Sequence, residues 1–449
     1  MAPDRTAPLT ARTILAFWLP LAATWLMMAV EGPYVAAIIA RLADPTRNLA
    51  AYGVAFSFAF MAEAPIIMMM TAANALVADR QSLLALRRFA FALNAVLTVA
   101  MGIGLLPPVF RFVTDRVIGL PADLGHLTHV TTSFLIFWPA AIGYRRFYQG
   151  ILVRHHLPRR VAYGTVVRLA TMSVTAAVLA LTTSLPGAYV GSLSLACGVI
   201  AEAAASRWMA KGIVAQLLSA PPAAGSPTAA VLTTREIARF YVPLALTSLV
   251  AIVVNPLVTF FLGRSRSPID SLAVMPVVTG VVFMFRSGAI AYQEVAVALT
   301  GGQRQREKKI ARVAAVLAGA SAFALGAVLF TPLGPGWFTR VAGLTPGLAA
   351  FAIGPARVLA LVPALDYLLS LQRARLVLAR RTRIITMATG VEALVIATVL
   401  TVGIGSLDLV GAVVAASAVL LGRLCGNLFL VTSALLRPRR LEALDARAR

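Results

Sequence analysis

Charge is scarce in this chain. Only 13% of its 449 residues are Asp, Glu, Lys or Arg, about half the share of a soluble globular domain. With 59% hydrophobic residues and a mean hydropathy of +0.85, a water-soluble fold is excluded. Acids are scarcer still, 17 against 40 basic residues, for a net charge of +23. In a soluble protein that excess would point to nucleic acid. Here the basic residues fall in the short gaps between apolar runs, so no nucleic-acid partner is expected. There are two cysteines, Cys197 and Cys425, both inside apolar runs, which excludes a disulfide framework. Histidines number four, and the adjacent His155 and His156 have no third ligand nearby, so no metal site is expected. The chain has no GxxxxGK phosphate loop, no HExxH and no nucleophile elbow. It is not expected to be an enzyme, to hold a catalytic residue or to need a cofactor.

Long apolar runs take the place of those features. Twelve are separated by Gly, Pro and Arg: 13–40, 50–78, 89–110, 129–153, 161–182, 188–209, 240–263, 271–299, 313–332, 348–372, 384–404 and 408–435. Each is long enough to cross a hydrocarbon core of about 30 Å as a helix. Helix is the expected state, because an open strand edge cannot sit in lipid and these runs lack the alternation of a barrel. The first run is far too long for a cleaved signal peptide and reads as span 1. The predicted class is all-α integral membrane, with the lipid bilayer as a partner.

The basic residues orient the spans. With both termini cytoplasmic, cytoplasmic segments hold 26 Lys and Arg, the opposite loops 7, and the spans themselves 7. That asymmetry predicts a multi-pass protein of the inner (plasma) membrane with both termini in the cytoplasm. The densest cytoplasmic groups are Arg304, Arg306, Lys308, Lys309 and Arg312, then Arg373, Arg375, Arg380, Arg381 and Arg383. The tail with Arg437, Arg439 and Arg440 reads as a topology anchor.

The sequence also repeats itself. Residues 17–76 align without a gap onto 240–299, and 20 of the 60 positions are identical. Among them are Phe17 with Phe240, Pro20 with Pro243, Thr24 with Thr247, Pro33 with Pro256 and Arg41 with Arg264. Six spans per copy is an even number, so both copies enter from the same side and the repeats are parallel. Transporters of this plan hold their solute where the repeats meet. The expected domains are a six-helix lobe over 1–217, a cytoplasmic linker over 218–235 and a second six-helix lobe over 236–449. Pro221, Pro222, Gly225 and Pro227 make that linker read as flexible. Internal duplication makes a monomer self-sufficient.

Six acids and seven arginines nonetheless lie inside spans: Glu31, Glu63, Glu202, Glu294, Asp366 and Glu392, with Arg145, Arg146, Arg168, Arg207, Arg286, Arg357 and Arg423. Each costs roughly 2.5–3.5 kcal/mol at mid-span, so most must face one another or a wet cavity. Arg168, Arg286, Arg357 and Arg423 are farthest from span ends. Arginine's planar fork suits carboxylate and phosphate, which favours an anionic solute. Gln149, sharing a face with Arg145 and Tyr148, and Gln293, seven residues from Arg286, join the expected binding set. Glu31, Glu63, Glu202, Glu294 and Asp366 are candidates for coupling or gating, by a proton or sodium. Glu63 and Arg286 occupy equivalent repeat positions, and pairing of the two is one expectation. Helix breaks are expected at Pro33, at Asn255-Pro256, beside Glu63 at Pro65, and at Pro363.

The residues resemble those of a known group of exporters. Leu19-Pro20-Leu21 and Val242-Pro243-Leu244 open spans 1 and 7, and Ala51 through Ser57 open span 2. Pro139 with Gly150-Ile151-Leu152 and Arg154-His155, Pro355 and Arg357 with Pro363, and Gly411-Ala412 with Gly422 complete the pattern. The chain resembles the multidrug/oligosaccharidyl-lipid/polysaccharide exporter superfamily, which includes the MATE transporters, and within it the progressive ankylosis family. The resemblance implies twelve helices in two parallel repeats and alternating-access export of a small organic or phosphate-bearing anion, of the citrate, nucleotide or pyrophosphate class. Arg357 is the one deep charge it places on a motif. A proton- or sodium-coupled multidrug or cation antiporter, or a lipid-linked glycan flippase, is the alternative.

Overall fold

A computed structural model describes residues 9–155, 157–219, 233–252, 254–300, 304–379 and 381–435. The expected linker at 221–227, the basic tail from Arg437, His156, Arg380 and the side chain of Arg304 lie outside the described residues. Among those described, every regular element is helical, with one isolated backbone bridge between Arg266 and Val410.

All twelve expected spans are helical. Nine carry single segments long and apolar enough to cross a membrane, from Ala11–Ile39 to Gly411–Ser433. Of the other three, two are divided. Span 2 runs as Pro45–Glu63, a tight turn, then Met69–Leu76. Span 4 is Ala122–Ser133 and Trp138–Arg154; span 7 is described over Thr234–Ile252 and Val254–Gly263, on either side of residue 253. Span 10 bends through a 3-10 turn, Leu359–Leu361, between Pro346–Val358 and Val362–Leu378. Pro363 sits in the first turn of the latter helix, where its missing N–H costs nothing. The break at Pro33 does not occur, because the span 1 helix continues through it to Ile39. The outer faces are lined by large apolar side chains, such as Val96, Leu181, Phe323 and Leu394, an arrangement suited to lipid.

The duplication is visible in the backbone. Asp44 and Ser267, both at positive φ, turn the chain just before Pro45 and Pro268. Gly119 and Gly343, also at positive φ, each follow a π-helical turn, Phe112–Ile118 and Trp337–Val341. Span 6 begins with Ala188 N–H donating to Asn48 Oδ1 at 2.9 Å. Span 12 begins with Ala412 N–H donating to Ser271 Oγ at 3.2 Å.

The compact units do not follow 1–217 and 236–449. One unit is Ile38–Arg264; the other joins Met1–Ala37 to Ser265–Arg449. The first span of each repeat therefore packs with the opposite repeat, and the reason is local. In the second unit Trp18 Nε1 donates to Gly288 O at 2.9 Å, and a Cβ on Gly288 would stand 2.9 Å from the Trp18 ring. Pro33 is seated on Gly280, where a Cβ would come within 3.0 Å. Leu9 and Ile14 complete a buried core with Ala289, Tyr292, Ile310 and Tyr367. The other unit mirrors this: Thr259 of span 7 hydrogen-bonds Ser57 of span 2 at 2.8 Å, and Tyr241 Oη donates to Pro65 O at 2.6 Å.

Span 3 starts on a capping box. Asp79 Oδ1 accepts from Ser82 N–H at 2.8 Å and Ser82 Oγ accepts from Asp79 N–H at 3.0 Å. The Ser82 N–H, with the Ser82 hydroxyl that also donates to Oδ1 at 2.8 Å, holds the Asp79 carboxyl below its ordinary value. Its contribution is therefore present above the usual aspartate range and lost as pH falls through the lowered value. Asp79→Ala should cost about 1 kcal/mol in denaturant titrations near neutral pH.

Gly288→Val should cost about 1–3 kcal/mol by overpacking against Trp18 and Tyr367. Gly319→Val, where the added atoms meet open space, is the control. Thermal midpoints in detergent check the pair.

Candidate functional site: two buried charge clusters

Each unit encloses one cluster of charges. In the Ile38–Arg264 unit the centre is Glu202 of span 6, 1% exposed. Arg145 of span 4 forms an ion pair with its Oε2, and Gln149 Nε2, one turn on, donates to Oε1 at 3.1 Å. Arg168 of span 5 approaches Oε2 at 3.6 Å and lies over the Trp138 ring. Trp138 Nε1 in turn donates to Glu63 Oε2 at 3.1 Å. The glycines explain how the helices come this close: Gly143 receives the Asn94 side chain and Gly150 receives Ala73. Among the described residues no carboxylate lies in ion-pair range of Arg146; its Nη1 points at Met70 Sδ and its Nε makes no hydrogen bond.

The second unit centres on Asp366 of span 10, 2% exposed. Arg286 of span 8 is ion-paired to Oδ2, and Arg423 Nε of span 12 lies 3.0 Å from Oδ1. Arg423 also reaches Glu392 of span 11 at 3.3 Å. Asn427 Nδ2 donates to Arg423 O at 2.9 Å and Gln372 Nε2 donates to Asn427 Oδ1 at 3.4 Å. Arg373, one residue on from Gln372, contacts Thr389 Oγ1 at 3.5 Å. Charges this deep persist only when paired, since removing one partner of a buried pair costs about 3–5 kcal/mol.

Arg168, Gln149, Glu63 and Glu202 therefore meet in the first cluster, and Arg286, Arg423 and Asp366 in the second. Within its own unit Glu63 accepts from Trp138, and within the other Arg286 pairs with Asp366. Glu31 is buried in span 1 and Gln293 is half-buried in span 8. Arg357 belongs to neither cluster. It is exposed, donates from Nε to Leu329 O at 3.0 Å and covers the Phe330 ring, capping the end of span 9. Depth along a span told nothing of which face it occupied. Glu294 is likewise exposed, on the strip of span 8 that turns away from Arg286. Asn255 is exposed, and it and Pro256 are both helical, within Val254–Gly263.

The binding set read from sequence omitted Arg145, Trp138, Glu392 and Arg373. A signal existed for Glu392. Past the gapless segment the repeat offset grows by one, matching Gly187 with Gly411, Ala188 with Ala412 and Gly198 with Gly422. That register sets Arg168 opposite Glu392. An open groove of about 670 Å³ also lies between spans 4 and 6, lined by Ala140, Tyr144, Ala203, Arg207, Trp208 and Lys211.

No family profile matches the chain, and no curated protein does. Solved structures do. An inward-facing multidrug resistance MATE family transporter of the MOP superfamily superposes with a TM-score of 0.72 at 14% identity, over 96% of this chain and 99% of that one. The chain has the fold of the MATE transporters. The lipid II flippase MurJ, in an inward closed conformation, matches with a TM-score of 0.70 at 10% identity, over 93% of this chain and 87% of that one. A MOP superfamily transporter from Pyrococcus furiosus, described by a binding pocket of reverse polarity, matches with a TM-score of 0.64 at 14% identity, over 96% and 97%. The MATE-like fold expected from the repeat is thus the observed one.

Glu202→Gln should destabilise the protein by roughly 3–5 kcal/mol, because Arg145 and Arg168 lose their shared counter-charge. Glu294→Gln, on an exposed site, should stay within about 0.5 kcal/mol. Unfolding of the two variants in mixed micelles provides the comparison.

Proposed function

We propose that the chain is a secondary transporter that exports a small organic or phosphate-bearing anion by alternating access of its two repeats. One observation carries the anionic solute: arginine exceeds carboxylate in both clusters. Arg145, Arg146 and Arg168 stand against Glu63 and Glu202, and Arg286, Arg373 and Arg423 against Asp366 and Glu392. Each cluster keeps one guanidinium in excess, and a desolvated guanidinium recognises carboxylate or phosphate through paired N–H bonds. The MATE-like fold supports transport, since solutes of such duplicated plans bind between repeats. The resemblance to the progressive ankylosis family supports the citrate, nucleotide or pyrophosphate class. The protein acts as a monomer in the inner membrane with both termini in the cytoplasm, and Glu31, Glu63 and Asp366 are the acids available for coupling to a proton or sodium.

The groove between spans 4 and 6 favours a second reading. Its apolar wall of Ala140, Ala141, Ile200 and Ala203 sits beside Arg207 and Lys211, which suits an acyl chain under a phosphate. That is the chemistry of a lipid-linked glycan, and MurJ is a similar structure. A multidrug antiporter draws its support from buried Glu31 and the similar MATE structures.

Labelled citrate flux in proteoliposomes separates these. Uptake that falls at least tenfold in Arg286→Gln while persisting in Arg357→Ala is the expected result. No flux of citrate, and none of ATP, in vesicles holding monodisperse protein would overturn the anion reading.

A further inference from the structure

The two clusters are mirror images in charge. Span 2 offers Glu63 where span 8 offers Arg286, and span 5 offers Arg168 where span 11 offers Glu392. Spans 6 and 12 contribute Glu202 and Arg423; spans 4 and 10 contribute Arg145 and Asp366. In both, one carboxylate lies between two arginines. They differ in closure. Around Glu202 the arginine side chains are 4% and 9% exposed and both carboxylate oxygens accept hydrogen bonds. Around Asp366, the Arg286 side chain is 25% exposed. Asp366 Oδ1 and Arg423 Nε are both buried without a hydrogen bond, although 3.0 Å apart. The first cluster is the more closed, with both carboxylate oxygens bonded although Arg145 Nε and Arg146 Nε make no hydrogen bond; the second is more exposed and leaves a carboxylate oxygen without one.

We propose that Asp366 is the resident occupant of an oxyanion site formed by Arg286 and Arg423, and that it yields the site on taking up a proton. The ligand is a carboxylate, sulfate or phosphate group, bound together with that proton. This rests on the anionic-solute reading and deepens it. The charge count gives the direction. With Asp366 ionised, Arg286, Arg373 and Arg423 exceed Asp366 and Glu392 by one charge, and an added dianion would leave the pocket negative. With Asp366 neutral the remaining groups carry two positive charges, and the incoming dianion restores balance. The other charged groups around span 10 fit this. Glu392 of span 11 holds Arg423 from its far side, and Arg373 of span 10 itself adds positive charge from two turns away. Span 9 brings Glu307, which is paired with Arg375 at 2.6 Å, near the end of the helix. Span 8 brings Arg286 itself, with Glu294 on an exposed strip. Arg357, on the first helix of span 10, is exposed and bonded to Leu329 O.

The test uses sulfate, whose charge is constant between about pH 5 and 8, and reads binding to the purified full chain by calorimetry. Affinity of the parent should rise by up to about tenfold per unit as pH falls, the slope of one proton per anion. Asp366→Asn should bind sulfate at pH 7.5 at least tenfold more tightly than the parent, with no pH dependence. Adding Arg286→Gln to that variant should abolish the gain. An Asp366→Asn protein no tighter than the parent, or one that keeps the parent's slope, overturns the proposal. Should that variant not fold, Arg286→Gln alone decides: lost sulfate affinity at pH 5.5 supports the site, and unchanged affinity overturns it. The measurement needs no transport, so absent citrate flux with intact sulfate binding would remove the transport reading and leave this one standing.

Discussion

A carboxylate 1–2% exposed inside a membrane-spanning bundle must be surrounded by its own donors, because water and lipid supply none. Glu202 and Asp366 impose that demand on the two units. Around Glu202, spans 4, 5 and 6 are drawn together by Arg145, Gln149 and Arg168. Around Asp366, spans 8, 10, 11 and 12 are linked through Arg286, Arg423 and Glu392. Apolar packing alone gives little preference among helix registers in lipid. These acids supply it.

Charge reversal between duplicated halves is economical physics. A gene duplication yields two identical polar clusters. Reversing the sign at each helix keeps every cluster internally paired while changing which group is the more exposed. Arg286 is partly exposed where its counterpart Glu63 is buried against Trp138.

Much of this was legible in the sequence, and the failures share one cause. The twelve apolar runs, the parallel duplication and the roster of buried charges are periodicity and composition, which a chain carries openly. What a linear pattern does not carry is the rotational setting of each helix. Arg357 lies well inside its span yet faces outward, and Glu294, one strip round from Arg286, is exposed as well, so position along a span misled where only the packed neighbour decides. Arg145, near a span end and free by position to reach for water, instead turns inward to Glu202. Glu392 was recoverable by following the repeat through its one-residue shift. The exchanged first spans were not, since nothing local in Trp18 or Pro33 names Gly288 or Gly280 as the partner.

That exchange bears on how the protein is made. Trp18 and the carbonyl it bonds are 270 residues apart. The first helix enters the membrane early in synthesis and must wait, unpartnered, while more than half of the chain is translated behind it. Between residues 13 and 40 it carries a single charged residue, Glu31, the one group that lipid must tolerate during that interval.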